Sequence, residues 1–206
     1  ARGTFSVDPA VIGTSTSSGA IDFGYQHKEL CFASSRYWLF YYDGTNYGFR
    51  SSLDGITWSS ETTLTTAGVV FTEMASFACS GTTIYYAIPA SNNADSRTVY
   101  YRYGTLNSDG TIAWSIPESS INLAYNAYYG SSVTIDSEGD LWLAASSCSP
   151  SGTPSCAAGL IFYLEVWECT TPSNCSWSSV GWPMPSDVAG GFWPDIVSIG
   201  NGQVAV

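Results

Sequence analysis

Four times along this 206-residue chain a short strand-like run is followed by a tight polar turn and then by a strongly apolar run, always in that order. The opening runs are residues 30–34, 76–80, 132–136 and 196–200. The turns are Ser35 with Arg36, Gly81 with Thr82, Glu138 with Gly139, and Asn201 with Gly202. Apolar runs follow at 37–42, 83–88 and 140–145, with the start of another at 203–206. A third run in each unit lies at 47–51, 98–103 and 161–168, and an outermost fourth strand is expected near Trp58, Trp114 and Trp177. Helical patterning is almost absent, and clusters of Gly, Asn, Asp and Pro separate the runs, so each is read as a β-strand.

Recurrence of such a block means that each unit buries its faces on its neighbours. The second run, Tyr37-Trp38-Leu39-Phe40-Tyr41-Tyr42, is apolar on both faces, as a sheet packed between two others requires. A β-sandwich of hairpins is the competing architecture, and it would need cleaner alternation between inside and outside. Four antiparallel strands per unit match a β-propeller blade. The expectation is an all-β propeller domain over residues 1–206, with units near 28–60, 74–116 and 131–179 and a partial one at 195–206. Since closed rings have about four to eight blades, further sequence or a neighbouring subunit is expected to complete it.

Within the first unit, Arg50-Ser51-Ser52-Leu53-Asp54-Gly55-Ile56-Thr57-Trp58 sets Asp-Gly between two strand-like runs. Asp-Gly is a strong hairpin signal because φ > 0 costs glycine nothing. A Ser or Asp oxygen can hold the turn amides while the Trp plugs the space beneath. The segment resembles the Asp-box (BNR repeat) of sialidase-like β-propellers, one residue tighter than the commonest form. A weaker copy is Asn107-Ser108-Asp109-Gly110-Thr111-Ile112-Ala113-Trp114, and Ser173-Asn174-Cys175-Ser176-Trp177 keeps only the Trp. The resemblance implies structural roles for Ser52, Asp54, Gly55, Trp58, Asp109, Gly110 and Trp114, with both Trp rings mostly buried under their hairpins.

The same resemblance puts these turns on the face away from the ligand. The opposite face then collects the 43–46, 89–96 and 148–156 loops and the long inter-unit connections. Ligand-facing candidates are Asp22, Tyr25, His27, Glu73, Asp95, Tyr125, Tyr128, Tyr129, Asp187 and Trp193. Aromatic rings beside carboxylates suit sugars, whose C–H faces stack on rings while hydroxyls bond the acids.

Composition narrows the function. A net charge of −11 with only six Lys and Arg disfavours nucleic acid or an anionic membrane surface, and no apolar run approaches the ~18 residues of a membrane-spanning helix. No leader segment is visible, and a start at Ala1 fits a processed chain. Cys148 and Cys156, and Cys169 and Cys175, bracket short turn-rich loops and are expected to form local disulfides, which places the protein in an oxidising, extracellular compartment. Cys31 and Cys79 sit in the opening runs of adjacent units but two positions out of register, and their pairing stays open. Asn174-Cys175-Ser176 is a glycosylation sequon.

No cofactor or metal is expected. The lone His27 cannot complete a zinc set with these cysteines. Residues 136–142 carry acids at alternate positions but lack the Gly and Glu placement of a calcium loop, so they read as a hairpin turn. No catalytic residue is selected either. A glycosidase needs two carboxyl groups flanking the scissile bond, and nothing in the spacing of Asp22, Glu73, Asp95 and Asp187 chooses two. The sialidase pattern of three substrate-gripping arginines has no counterpart among Arg2, Arg36, Arg50, Arg97 and Arg102, and none of these precedes Ile-Pro. The expected function is a secreted or surface-displayed, non-catalytic module that binds glycan or protein or joins an extracellular assembly. The alternative is a glycoside hydrolase whose catalytic residues lie partly in blades outside this sequence.

Overall fold

The computed structural model describes residues 12–14, 16, 29–64, 75–90, 96–114, 117–149, 161–171, 175–181, 184–186 and 194–206. These residues form antiparallel sheets that follow one another along the chain. The first sheet has the order β1 (Leu30–Ala33), β2 (Arg36–Tyr42), β3 (Tyr47–Ser52), β4 (Thr62–Thr63). The second has β5 (Ser76–Ser80), β6 (Thr83–Pro89), β7 (Thr98–Leu106) and β8 (Ile112–Trp114), with β9 (Ser119–Asn122) also on β7. The third has β10 (Asn126–Ile135), β11 (Leu141–Ser149), β12 (Ile161–Cys169) and β13 (Ser178–Ser179), with β14 (Met184–Ser186) also on β12. The last pairs β15 (Val197–Gly200) with β16 (Gln203–Ala205).

The two-residue period of a strand sends alternate side chains to opposite faces, and here both faces are apolar. Along β6, Ile84, Tyr86 and Ile88 pack with Trp38, Phe40, Tyr47 and Phe49 of the first sheet. Tyr85 and Ala87, from the other face of β6, pack with Val133, Leu141, Leu143 and Ala145 of the third. Along β11 the pattern repeats, with Trp142 and Ala144 turned towards Ile196 and Val204 of the last sheet. Apolar layers therefore fill the spaces between successive sheets. Phe40 stacks on Phe77 across the first layer, with ring centroids 5.2 Å apart and planes at 25°. The buried Tyr86 donates its hydroxyl to Glu118 at 2.7 Å. Burial first, and the Glu118 carboxylate second, push that phenol well above the usual tyrosine range.

Several expectations need correction. The first turn is Ser34 with Ser35, both at positive φ, and Arg36 already pairs with Ala33 in the strand ladder. Trp58 makes only an isolated bridge to Ser52, so the outermost strand of the first sheet falls later, at Thr62–Thr63. In the second and third sheets the outer edge is shared by two short strands, because β7 and β12, at nine residues each, are long enough to hold both. Tyr128 and Tyr129 lie in β10 rather than in a connection, within a register shift between Ala127 and Ser131.

The cysteine framework is wider than the local one. Cys31 and Cys79 are bonded, with Cα atoms 6.4 Å apart. Both pack against the layer between the first two sheets, and facing sheets bring them together despite their offset along the chain. Cys169 is bonded to Cys175. Cys148 is also disulfide-bonded, and Cys156, its expected partner, lies outside the described residues.

Turns of one sheet dock on the sheet before it. Arg36 Nε donates to the Ser108 carbonyl at 2.5 Å, and Ser34 Oγ to the Leu106 carbonyl at 2.6 Å. Gly110 has φ +91°, and a Cβ there would stand 2.8 Å from Ser51 Oγ. Gly139 has φ +94° with open space where its Cβ would go. Gly110→Ala is therefore expected to cost about 1–3 kcal/mol of backbone strain plus the displaced docking contact, and Gly139→Ala the backbone strain alone. Urea denaturation of both variants checks this, and equal losses would rule out tight docking at Gly110.

Candidate functional site

The sheets have two ends. At the end carrying the tight turns, carboxylates organise the backbone. Asp54 Oδ1 accepts from the amides of Ile56 at 2.8 Å and Thr57 at 2.7 Å, and from Ser52 Oγ at 2.9 Å. Ser52 Oγ in turn accepts from the Gly55 amide at 2.9 Å, and Gly55 has φ +73°. Trp58 Nε1 donates to the Gly55 carbonyl at 3.2 Å. The amide of Thr57 first, then that of Ile56 and the Ser52 hydroxyl, hold the Asp54 carboxyl down to about 2. In the next sheet Asp109 Oδ1 accepts from the amide and hydroxyl of Thr111 at 2.9 and 2.7 Å.

Neither tryptophan is fully covered. Trp58 and Trp114 are half-buried, since no strand of the first sheet crosses Trp58 and Trp114 belongs to an edge strand. The Trp114 ring meets Tyr86 edge-on at 5.6 Å and carries Arg102 at 4.7 Å from its centroid.

In the third sheet Asp136 fills the corresponding turn. Its Oδ1 accepts from the amides of Glu138, Gly139 and Asp140 at 2.9–3.0 Å, and its Oδ2 from Trp142 Nε1 at 2.9 Å. Burial pushes its pKa up, but the indole and these amides outweigh that effect and leave it lowered. N–H donors surround this carboxylate, which is the geometry of a turn and an unfavourable one for a cation.

At the opposite end, where the chain enters β10 and leaves β11, Tyr125 stacks on Tyr163 with centroids 4.4 Å apart and planes at 22°. Glu165, two residues along β12, is buried. Its Oε1 accepts from Ser147 Oγ at 2.5 Å and from the Tyr125 amide at 3.2 Å, and its Oε2 from the Ala124 amide at 2.7 Å. Arg97 Nε donates to the Leu123 carbonyl at 2.7 Å in the same connection. In the 43–46 turn, Asp43 Oδ1 accepts from the amides of Thr45 and Asn46, each at 2.6 Å. Asp195, exposed at the entry to β15, accepts from Ser132 Oγ at 3.1 Å.

Of the ligand-facing candidates, Asp22, Tyr25, His27, Glu73, Asp95, Asp187 and Trp193 lie outside the described residues, as do the side chains of Tyr128 and Tyr129. Tyr125 is described, and it meets two residues that sequence reasoning did not select, Tyr163 and Glu165. Their one legible signal is Glu165 itself, a lone acid inside the apolar run Ile161–Cys169. Two cavities are also present among the described residues. One of about 260 Å³ runs along the opening strands beside Phe77, Val133 and Ile196. Another of about 520 Å³ lies between the outer strands of the first two sheets, beside Thr62, Arg102, Thr111 and Trp114.

No family model and no curated protein matches the chain. Among solved structures, an α-L-arabinofuranosidase (CtGH43) from Clostridium thermocellum is similar at 13% identity and a TM-score of 0.44, over 85% of this chain and 57% of that one. The Bombyx mori GH32 β-fructofuranosidase BmSUC1 is similar at 13% identity and a TM-score of 0.45, over 84% of this chain and 39% of that one. The chain thus spans well under two thirds of the length of either.

The Asp54 geometry generates a pH prediction. Its folded-state pKa lies below the unfolded value near 4, so its stabilisation is complete above that pH and is lost as pH falls towards about 2. Unfolding midpoints between about pH 5 and pH 2 should therefore fall more steeply for the wild type than for Asp54→Asn. Parallel curves would show that the carboxylate contributes nothing to the turn.

Proposed function

We propose that this protein is a secreted or surface-displayed, non-catalytic β-propeller module of the sialidase-like, Asp-box kind that binds glycan or protein through the end of its sheets opposite the tight turns. The Asp-held turns at Asp54 and Asp109 support the Asp-box reading, and sheets with both faces buried support the blade reading. The disulfides are compatible with an oxidising compartment. Outer faces of the first and last sheets carry the exposed Leu30, Phe32, Val197 and Ile199, the pattern left where a ring of sheets is open to a further sheet of the same kind.

The observation that carries the binding reading is how the described acids at that end are used. Glu165 and Asp43 spend their oxygens on backbone amides and a hydroxyl, and Asp195 is bonded to Ser132. Acids so engaged order loops around the half-buried Tyr125 and Tyr163 instead of moving protons.

Purified protein is expected to retain glycans on an array and to release nothing from a panel of aryl glycosides that includes sialosides. Turnover that disappears on replacing Glu73, Asp95 or Asp187 by Ala would overturn the non-catalytic assignment.

A further inference from the structure

We infer that the stacked Tyr125–Tyr163 pair is a subsite for a neutral, gluco- or xylo-configured pyranose, and that Glu165 is the residue that positions it. This inference rests on the glycan-binding reading and names its ligand class.

Tyr163 and Glu165 are two apart on β12 and so share one face of the strand. Glu165 is only 2% exposed. Burying a carboxylate is costly unless donors surround it, and this one has three. Ser147 Oγ comes from the neighbouring strand of the same sheet, whereas the amides of Ala124 and Tyr125 come from the connection that leads out of the second sheet. The carboxylate therefore ties two consecutive peptide groups of that connection to the middle of β12. With both amides held, the backbone that carries Tyr125 is fixed in place, and its ring stacks on Tyr163 at 4.4 Å.

Two near-parallel, half-buried rings form a rigid aromatic surface with little side-chain entropy left to lose on binding. Such a surface takes the apolar C–H face of a sugar. Pyranoses whose hydroxyls are all equatorial leave both C–H faces unobstructed, whereas each axial hydroxyl blocks one of them, so the gluco and xylo configurations fit the rings from either face. Charge selects further. The chain carries a formal net charge of −11, so uronates, sulfated sugars and sialosides are repelled. The site reads shape and not charge.

The test is calorimetric titration of the intact chain with cellohexaose and xylohexaose, with hexagalacturonate as the acidic control, at low and high salt. The neutral oligomers should bind with little salt dependence and the acidic one should not. Tyr125→Ala should weaken binding about five- to tenfold, the scale of one aromatic stacking contact, and Tyr125→Phe should preserve it. Glu165→Gln should weaken binding comparably. Adding Tyr125→Ala to Glu165→Gln should then cost little more, because the ring is no longer held; a carboxylate that only stabilised the fold would leave the two effects additive. Should Glu165→Gln fail to fold, the half-exposed Tyr125 variants still decide the matter. Full affinity in Tyr125→Ala and Tyr163→Ala, with glycans still retained on the array, would overturn the subsite and leave the module reading standing. Tighter binding of hexagalacturonate would overturn the ligand class, and a protein that retains no glycan at all would overturn both readings.

Discussion

Everything in this structure depends on strands that bury both of their faces. Ile84, Tyr86 and Ile88 face one neighbouring sheet while Tyr85 and Ala87, between them on the same strand, face the other. Leu141, Leu143 and Ala145 alternate in the same way with Trp142 and Ala144. At about 25 cal/mol for each Å² of apolar surface removed from water, one such strand serves two layers. No sheet in the series is a sufficient core alone, and each supplies half of two. A chain with only 11% charged residues can afford this because its solubility rests on Ser, Thr, Asn and Gly at the turns and edges.

The few acids are correspondingly specialised. Asp54, Asp109 and Asp136 each sit at a tight turn and gather the amides that the reversal leaves without strand partners. Glu165 does the same work away from a turn, in the middle of a strand, where it satisfies the amides of a connection crossing from one sheet to the next. A buried carboxylate is tolerated here because the donors around it replace its lost hydration, and losing any of them would leave it unsatisfied. The same feature anchors the peptide that carries the Tyr125–Tyr163 stack, so a stability device and the proposed recognition surface share one residue.

Disulfides extend this logic to the covalent frame. Cys169–Cys175 closes a six-residue interval, whereas Cys31–Cys79 spans 48 residues and links the opening strands of two sheets. In the chain-entropy view the longer loop constrains the unfolded chain more, so the staple between sheets is the more consequential one.

The inner strands and the Asp-Gly turns were legible in the sequence because their causes are local. Residues 37–42, 83–88 and 98–103 carry β-branched and aromatic side chains between turn-forming clusters, and they lie within β2, β6 and β7. Asp-Gly at 54–55 and 109–110 carries its own turn chemistry, and Gly55 and Gly110 both adopt positive φ. Trp58 and Trp114 keep partial exposure, because coverage depends on where the outer strand falls and not on the hairpin beneath. The sequence by itself determined the inner strands, their order and the Asp-Gly turns, since a two-residue period and Asp-Gly chemistry act over a few residues. Only the tertiary structure decided that Cys31 meets Cys79, that Arg36 reaches Ser108, and that Glu165 holds Tyr125 on Tyr163. Each of those contacts joins segments some 40 to 70 residues apart, and their distances are set by how one sheet lies on the next, which no local pattern encodes.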